Sequence, residues 1–226
     1  MSVAAKDRWT KDVDNYDLPH LRLRTIAHLI NEIKPKEVAD LGCAKGTLRK
    51  LIPSVNYSGC DFIEPHVNID FKFYQCEFNL EKLPSETNGI EMIVASGLLE
   101  YIEDLPLFIS QVRDVLHEKG IFIATYFNMN HIARRWQELR GMPVYTHPDW
   151  KGMYSFDDLN AIFIKNGFRV KKVIPFTHSL FSSKAVNETV KGKVRIDRFH
   201  IYSTLLAHQF IFTCEKVGYT DLKANG

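Results

Sequence analysis

The stretch Val38-Ala39-Asp40-Leu41-Gly42-Cys43-Ala44-Lys45-Gly46-Thr47-Leu48 runs from an apolar strand-like segment through two closely spaced glycines into a segment with helical character. A bend of this kind lets backbone approach a ligand closely. Gly42 removes a Cβ at the bend, and Gly46 removes one at the expected helix entry, where free N–H groups and the positive end of the dipole favour an electron-rich group. The dinucleotide pattern G-x-G-x-x-G needs glycines two and five positions after Gly42, but Ala44 and Thr47 stand there, which argues against a nicotinamide cofactor. Asp61, 21 residues after Asp40, closes the next predicted strand, where a carboxylate in such a fold accepts hydrogen bonds from the two hydroxyls of a ribose. Loop and acid together predict a bound nucleoside.

Around this bend the chain alternates strands and helices. A helix is predicted over Leu18 to Ile33, with Leu21, Ile26, Leu29, Ile30 and Ile33 on one face and Pro35 as its stop. Strands are predicted over Glu37 to Leu41, Tyr57 to Phe62, Phe71 to Phe78, Ile90 to Ser96 and Gly120 to Phe127. Between the last two, a helix capped by Asp104 and ended by Gly120 makes a parallel crossover. Only about ten residues separate the second and third strands, room for at most one irregular helical turn. Beyond Phe127 the alternation breaks in an aromatic- and His-rich segment with one short helix, Ile132 to Leu139. A helix from Ser155 to Gly167 and two more strands, FRVKKVIPF and LLAHQFIFTCEK, come next; Lys184 to Arg198 reads as a solvated excursion between those strands, and the last ten residues as a loose tail. The pattern is that of a doubly wound α/β sheet, with ligands beyond the carboxyl ends of the strands.

Bulk properties narrow the partners. The 29 Lys and Arg nearly balance 27 Asp and Glu, so the formal charge of +2 gives no field that would favour nucleic acid. No apolar run approaches a bilayer span and the N-terminus lacks a signal-peptide core, so a soluble, cytoplasmic protein with no membrane partner is expected. Cys43, Cys60, Cys76 and Cys214 show no CxxC spacing; no metal site is expected, and they read as reduced, buried, small hydrophobes.

The segment Val38 to Phe127 resembles the class I S-adenosylmethionine-dependent methyltransferases. VADLGCAKG is similar to their first motif, GCDFIEP to the acidic motif of the second strand, FNLEKLP to the segment that meets the adenine, and IEMIVASGLLEYIEDL to the fourth strand with its succeeding helix. RGMPVY and SFDDLNAIFIKNGFRV resemble the methionine-biosynthesis W-protein branch, and LLAHQFIFTCEK the closing strand of surface-glycan methyltransferases. The fold so implied is one domain over 1–226: an N-terminal helical segment (1–35), a cofactor-binding core (36–127), a substrate lid (128–154), a C-terminal helix and strands (155–216) and a tail (217–226). Its sheet is mostly parallel, seven-stranded and Rossmann-like, with an antiparallel last strand.

The resemblance implies S-adenosylmethionine as cofactor. Gly42, Cys43 and Gly46 would wrap its methionine part with Asp40 supporting the loop, Asp61 would hold the ribose, and Phe62 would lie on the adenine. Asn79, where the family usually has Asp, and Leu80 would recognise the adenine edge, and Ser96 would neighbour the methionine amino group. Two departures stand out. Ala44 replaces the usual middle glycine, tolerable at negative φ and costly at positive φ, and Tyr101 follows Glu100 where many relatives have His.

A sulfonium methyl is already activated, so the expected tasks are alignment, exclusion of water and removal of a proton. The acceptor is expected over the fourth and fifth strands, bounded by Tyr101, Arg134, Arg135, Trp150 and Tyr154. His131 is the first candidate base and His147 the second. The expected activity is methyl transfer to a small polar molecule, carbohydrate- or phosphate-containing, at oxygen. A partner-activating module without catalysis is the alternative, so a second copy of the chain or a biosynthetic enzyme stands beside the small-molecule acceptor as an expected partner. Nicotinamide-linked oxidoreduction is a distant third.

Overall fold

Alternating strands Val38–Ala39, Met92–Ile93 and Ile123–Ala124 send side chains to opposite faces of one sheet, and two separate apolar clusters form there. The computed structural model describes residues 21–65, 68–142, 149–176 and 207–217. Its elements are α1 (Leu21–Ile33), β1 (Glu37–Leu41), β2 (Asn56–Asp61), β3 (Lys72–Gln75), β4 (Ile90–Ala95), α2 (Leu105–Val115), β5 (Leu116–Phe127), α3 (Ile132–Leu139), α4 (Phe156–Lys165), β6 (Phe168–Phe176) and β7 (Gln209–Lys216). The sheet order is β3-β2-β1-β4-β5-β7-β6. Strands β1 to β5 pair in parallel, and β7 inserts antiparallel between β5 and β6. This is the seven-stranded, mostly parallel, Rossmann-like sheet with an antiparallel last strand that the sequence predicts.

Helix α1 closes one face with Ile26, Ala27, Leu29 and Ile30, against Val38, Met92, Val94 and Ile123. Helices α2 and α4 close the other. Asp104 caps α2 by accepting the Leu107 N–H at 3.0 Å, and Ser155 with Asp158 forms a reciprocal capping box on α4. Their apolar stripes meet Phe122, Phe168 and Phe212, where Phe163 lies 6.1 Å edge-on from Phe122 and 5.2 Å from Phe212. Such fully buried aromatics cost about 3–5 kcal/mol each on truncation to Ala, so this face dominates stability.

Three expectations are corrected. The helix predicted after the Gly42 bend does not form: Gly46, Arg49, Leu51 and Ile52 donate to carbonyls three residues back, and the only regular piece is a 3₁₀ turn, Arg49–Leu51. Pro53 stops the segment before an α-helix can develop, while Leu48 and Ile52 bury themselves on the α1 side. Helix α2 stops at Val115, not Gly120. Leu116 is already extended (φ −69°, ψ 144°) and pairs with Ile90, after which the strand bulges until Ile121 pairs with Met92. Gly120 serves that bulge, since a Cβ there would lie 2.8 Å from the His117 carbonyl oxygen. Strand β3 is four residues, not eight, because the chain turns at Glu77, whose carbonyl accepts the Leu80 and Glu81 N–H groups.

The opening helix is seen from Leu21; its first predicted residues, the excursion Lys184 to Arg198 and nearly all of the tail lie outside the described residues. All four cysteines are free and buried. Among the described residues no helix is long and apolar enough to cross a membrane, and no group of three or more His, Cys, Asp or Glu is arranged to hold a metal ion.

Candidate functional site

The bend after β1 is fastened to the end of β2. Gly42 N–H donates to Cys60 O at 2.8 Å, and Ala44 N–H donates to Asp61 Oδ2 at 2.8 Å. Asp61 Oδ1 accepts the Phe62 N–H at 2.8 Å, and the Ile63 backbone adds a further bond to the carboxylate. A carboxylate has about four acceptor directions, so these three donors leave room for one more. A ribose bound through both hydroxyls must therefore share or displace one of these bonds.

Gly42 has φ +75°, and a Cβ there would press on Leu98 at 3.3 Å. Ala44 sits at φ +47°, so the costly branch of the expectation applies: an L-residue in this region carries about 1–2 kcal/mol of strain. Ala44→Gly is expected to raise stability by about 0.5–1 kcal/mol once the extra freedom of glycine in the unfolded chain is subtracted. Denaturant titration checks this, and a loss of stability would contradict it. At Gly46 packing adds to the backbone demand. It has φ +71°, and a Cβ would run into the ring of Phe71.

Beneath the bend Asp40 is buried and accepts the Tyr57 hydroxyl at 2.7 Å. Burial pushes its carboxyl up to about 7, the Tyr57 bond and Arg22 opposing. Burial likewise pushes Asp61 up to about 6 against the lowering effect of its N–H donors. Ser96, at the end of β4, is half-buried, and its Oγ has no partner. Next to it Gly97, at φ +76°, donates its N–H to Thr125 Oγ1 on β5 at 2.8 Å.

Asn79 bridges the turn after β4: Nδ2 donates to Tyr101 O at 3.0 Å and Oδ1 accepts the Glu103 N–H at 2.8 Å. One lone pair of Oδ1 remains for an adenine. Leu80 is 79% exposed, and Phe62 is half-buried beside Asp61.

A second group of residues covers the carboxyl ends of β4 and β5. Tyr126 hydroxyl donates to Gly152 O at 2.7 Å and accepts the Tyr154 N–H at 3.2 Å. Lys151 N–H donates to Glu100 O at 2.8 Å, and its ammonium pairs with Glu103 at 2.7 Å. These bonds hold residues 149–154 over the strand ends. Trp150 lies 4.8 Å from the Phe127 ring, and the Arg134 guanidinium sits 5.5 Å above Trp150. Arg134 is half-buried, whereas Arg135 pairs with Glu138 at 3.0 Å and with Asn130 on the exposed side of α3. Tyr101 is half-buried in the turn after β4, and Tyr154 packs 6.2 Å from Tyr126.

His131 caps α3: its Nδ1 accepts the Ala133 N–H at 3.2 Å, and its ring meets His208 at 4.6 Å. That bond engages the Nδ1 lone pair, one of the two nitrogens through which an imidazole could take a proton. His147 lies outside the described residues.

Sequence reasoning passed over Glu100, Thr125, Tyr126 and Gln209. Glu100 is wholly buried; Oε1 accepts the Phe127 N–H at 2.9 Å and Oε2 has no partner. Burial pushes its carboxyl up to about 7 against the Phe127 bond and Arg22. The available signal was an acid inside an otherwise apolar turn, Leu98-Leu99-Glu100-Tyr101-Ile102.

A mostly parallel sheet with a tight bend after β1, an acid ending β2 and a polar orphan after β4 is the setting in which α/β folds bind nucleosides. Residues 15–173, more than half of the chain, match the methyltransferase domain family model. The chain belongs to that family, and is a class I S-adenosylmethionine-dependent methyltransferase. Comparison with curated protein sequences gives no match. Among solved structures it is similar to a chain from the Haloferax volcanii complex between the Trm112 methyltransferase activator and a methyltransferase, at TM-score 0.64 and 16% identity over 93% of this chain and 97% of that one. It is also similar to a SAM-dependent methyltransferase from Archaeoglobus fulgidus, at TM-score 0.59 and 13% identity over 86% and 94%. A third is the Burkholderia thailandensis 1,6-didemethyltoxoflavin-N1-methyltransferase with 1,6-didemethyltoxoflavin and S-adenosylhomocysteine bound, at TM-score 0.57 and 12% identity over 95% and 83%.

The residues present fit the cofactor: a bend without a Cβ at Gly42, a carboxylate with an acceptor direction left at Asp61, and a Ser96 hydroxyl without a partner. A ribose held by Asp61 would donate its hydroxyls to the ionised carboxylate, so affinity for S-adenosylhomocysteine is expected to fall as pH drops through about 6 and to level off above about 7. The expected loss between pH 8 and pH 5 is about tenfold; an unchanged Kd would mean that no ionised Asp61 meets the ribose. In the ligand-free protein the sign reverses. Asp40, Asp61 and Glu100 all have folded pKa values above their ordinary ones, so their contribution to stability is present below about pH 4 and lost as pH rises through 6 to 7.

Proposed function

We propose that the chain methylates a small polar molecule at oxygen, in the reducing cytoplasm that its four free cysteines suit. The observation that carries this reading is the segment 149–154, tied by Tyr126, Glu100 and Glu103 over the ends of β4 and β5. It packs Trp150 on Phe127 over those strand ends, the aromatic cover that a small-molecule acceptor would meet. The half-buried Arg134 above Trp150 disfavours an acceptor that arrives as an ammonium, which supports a hydroxyl over an alkylamine.

In this reading Gly42 and Cys43 line the methionine part of the cofactor, Asp61 orients its ribose, Phe62, Asn79 and Leu80 border the adenine, and Ser96 meets the amino group. When bound, the cofactor supplies a methyl carbon on a positively charged sulfur. The chain's own contribution is to hold the acceptor hydroxyl in line, keep water out under Trp150 and Tyr154, and take up one proton. Incubation with methyl-labelled cofactor and a small-metabolite extract of the source cells tests the reading. Label is expected in the low-mass fraction; label confined to macromolecules, or none, would reject it.

A second reading is favoured by the Haloferax volcanii neighbour, solved with a methyltransferase activator: this chain works beside a small activating protein. Stable co-purification of such a protein, with label transfer only in its presence, is the result that reading requires.

A further inference from the structure

Buried polar atoms without partners are rare, because each costs about 1–3 kcal/mol. Three side chains carrying four such atoms converge on Phe127, the last residue of β5. Glu100 accepts the Phe127 N–H through Oε1 and leaves Oε2 unpartnered. Trp150 lies tilted by 35° against the Phe127 ring and leaves Nε1 unpartnered. Gln209 is the direct cross-strand partner of Phe127, is 1% exposed, and has neither Oε1 nor Nε2 bonded. Side chains directly opposed across antiparallel strands share a face, at Cβ separations of about 5 Å.

The set is chemically complementary. It offers two acceptors, Glu100 Oε2 and Gln209 Oε1, and two donors, Trp150 Nε1 and Gln209 Nε2. A ligand bearing several hydroxyls satisfies them, because each hydroxyl donates or accepts as its neighbour requires, and the C–H faces of a polyol pack on Phe127 and Trp150. Glu100 opposes an anionic acceptor, while Arg22 beside Glu100 and Arg134 over Trp150 oppose a cationic one, which leaves an uncharged acceptor as the best match.

We propose that Glu100, Trp150 and Gln209 form the acceptor subsite for an uncharged, carbohydrate-like polyol, and that Glu100 Oε2 takes the proton of the hydroxyl that becomes methylated. This rests on the methyltransferase reading above. The oxygen–carbon bond forms as the carbon–sulfur bond breaks, the electron pair stays on sulfur, and the hydroxyl proton passes to the Glu100 carboxylate. Trp150 and Gln209 are specificity residues, the first arriving with the segment that shuts out water.

The test uses the full chain saturated with S-adenosylhomocysteine, titrated by calorimetry with a panel of neutral monosaccharides and cyclitols, and with phenols, amines and carboxylates for contrast. Polyol binding is expected, weakened at least tenfold in Gln209→Leu and in Trp150→Phe, with S-adenosylhomocysteine affinity unchanged. With the best-bound polyol and active cofactor, Glu100→Gln is expected to keep its KM and to lower kcat at least a hundredfold. Its rate should lose the wild-type rise with pH, which a merely structural role would leave in place. If the loaded protein binds no polyol, if the variants bind as the wild type does, or if Glu100→Gln keeps the wild-type pH profile, the proposal is overturned. S-adenosylhomocysteine binding retained alongside any of these results leaves the methyltransferase reading standing; its loss in the wild type overturns both.

Discussion

Asp61→Ala is expected to weaken binding of S-adenosylhomocysteine by a hundredfold or more. Each hydrogen bond to a charged group is worth about 1.5–3 kcal/mol, and a ribose held here would bring two hydroxyls to this carboxylate. The exchange also removes the acceptor of the Ala44 and Phe62 N–H groups, so the bend that shapes the cofactor site loses its side-chain tie to β2 and keeps only the backbone bonds to Cys60. Calorimetry reads the affinity, and a circular dichroism melt separates loss of the site from loss of the fold. Asp61→Asn keeps the shape and one acceptor, and should fall between wild type and Ala. A wild-type Kd in a folded Asp61→Ala protein would remove the ribose from this position.

The second large effect is predicted at Gly46. An alanine there takes on about 1–2 kcal/mol for its left-handed φ and a further 1–3 kcal/mol for pushing a methyl into Phe71, which itself stands edge-on to Tyr57 at 5.0 Å. The Gly46→Ala protein should therefore be about 2–5 kcal/mol less stable. Combining it with Phe71→Ala removes the collision and leaves the backbone cost, so the two exchanges should couple by more than about 1 kcal/mol. Denaturant melts of the four proteins measure this. An unchanged stability with a weakened S-adenosylhomocysteine affinity would instead make Gly46 a cofactor contact.

How far the fold was legible in the sequence depended on which physical signals are local. The strands were legible because Val38, Ala39 and Leu41 alternate between two apolar faces, and the position of Asp61 at the end of β2 because the apolar run from Tyr57 closes on it. The missing helix after Gly46 was misjudged because local apolar spacing says nothing of how much chain the crossover leaves. Leu48 and Ile52 reach the core from 3₁₀ turns just as well. Gly120 had the composition of a helix stop, but it works in a bulge whose need arises only when β5 pairs with β4.

The acceptor side was least legible, for a related reason. His131 and Arg135 stand out in sequence as reactive or charged, yet one caps α3 and the other pairs on its exposed side. Glu100 and Gln209 stand 109 residues apart and look ordinary; they matter because both meet Phe127 and neither finds a full set of partners. An unmet hydrogen bond is a property of the assembled fold.

A crystal structure of the full chain with S-adenosylhomocysteine tests the central claim most directly. Both ribose hydroxyls should lie within hydrogen-bonding distance of the Asp61 carboxylate, with the amino group of the ligand beside Ser96. A nucleoside bound away from the end of β2, or crystals grown at saturating ligand that hold none, would contradict it.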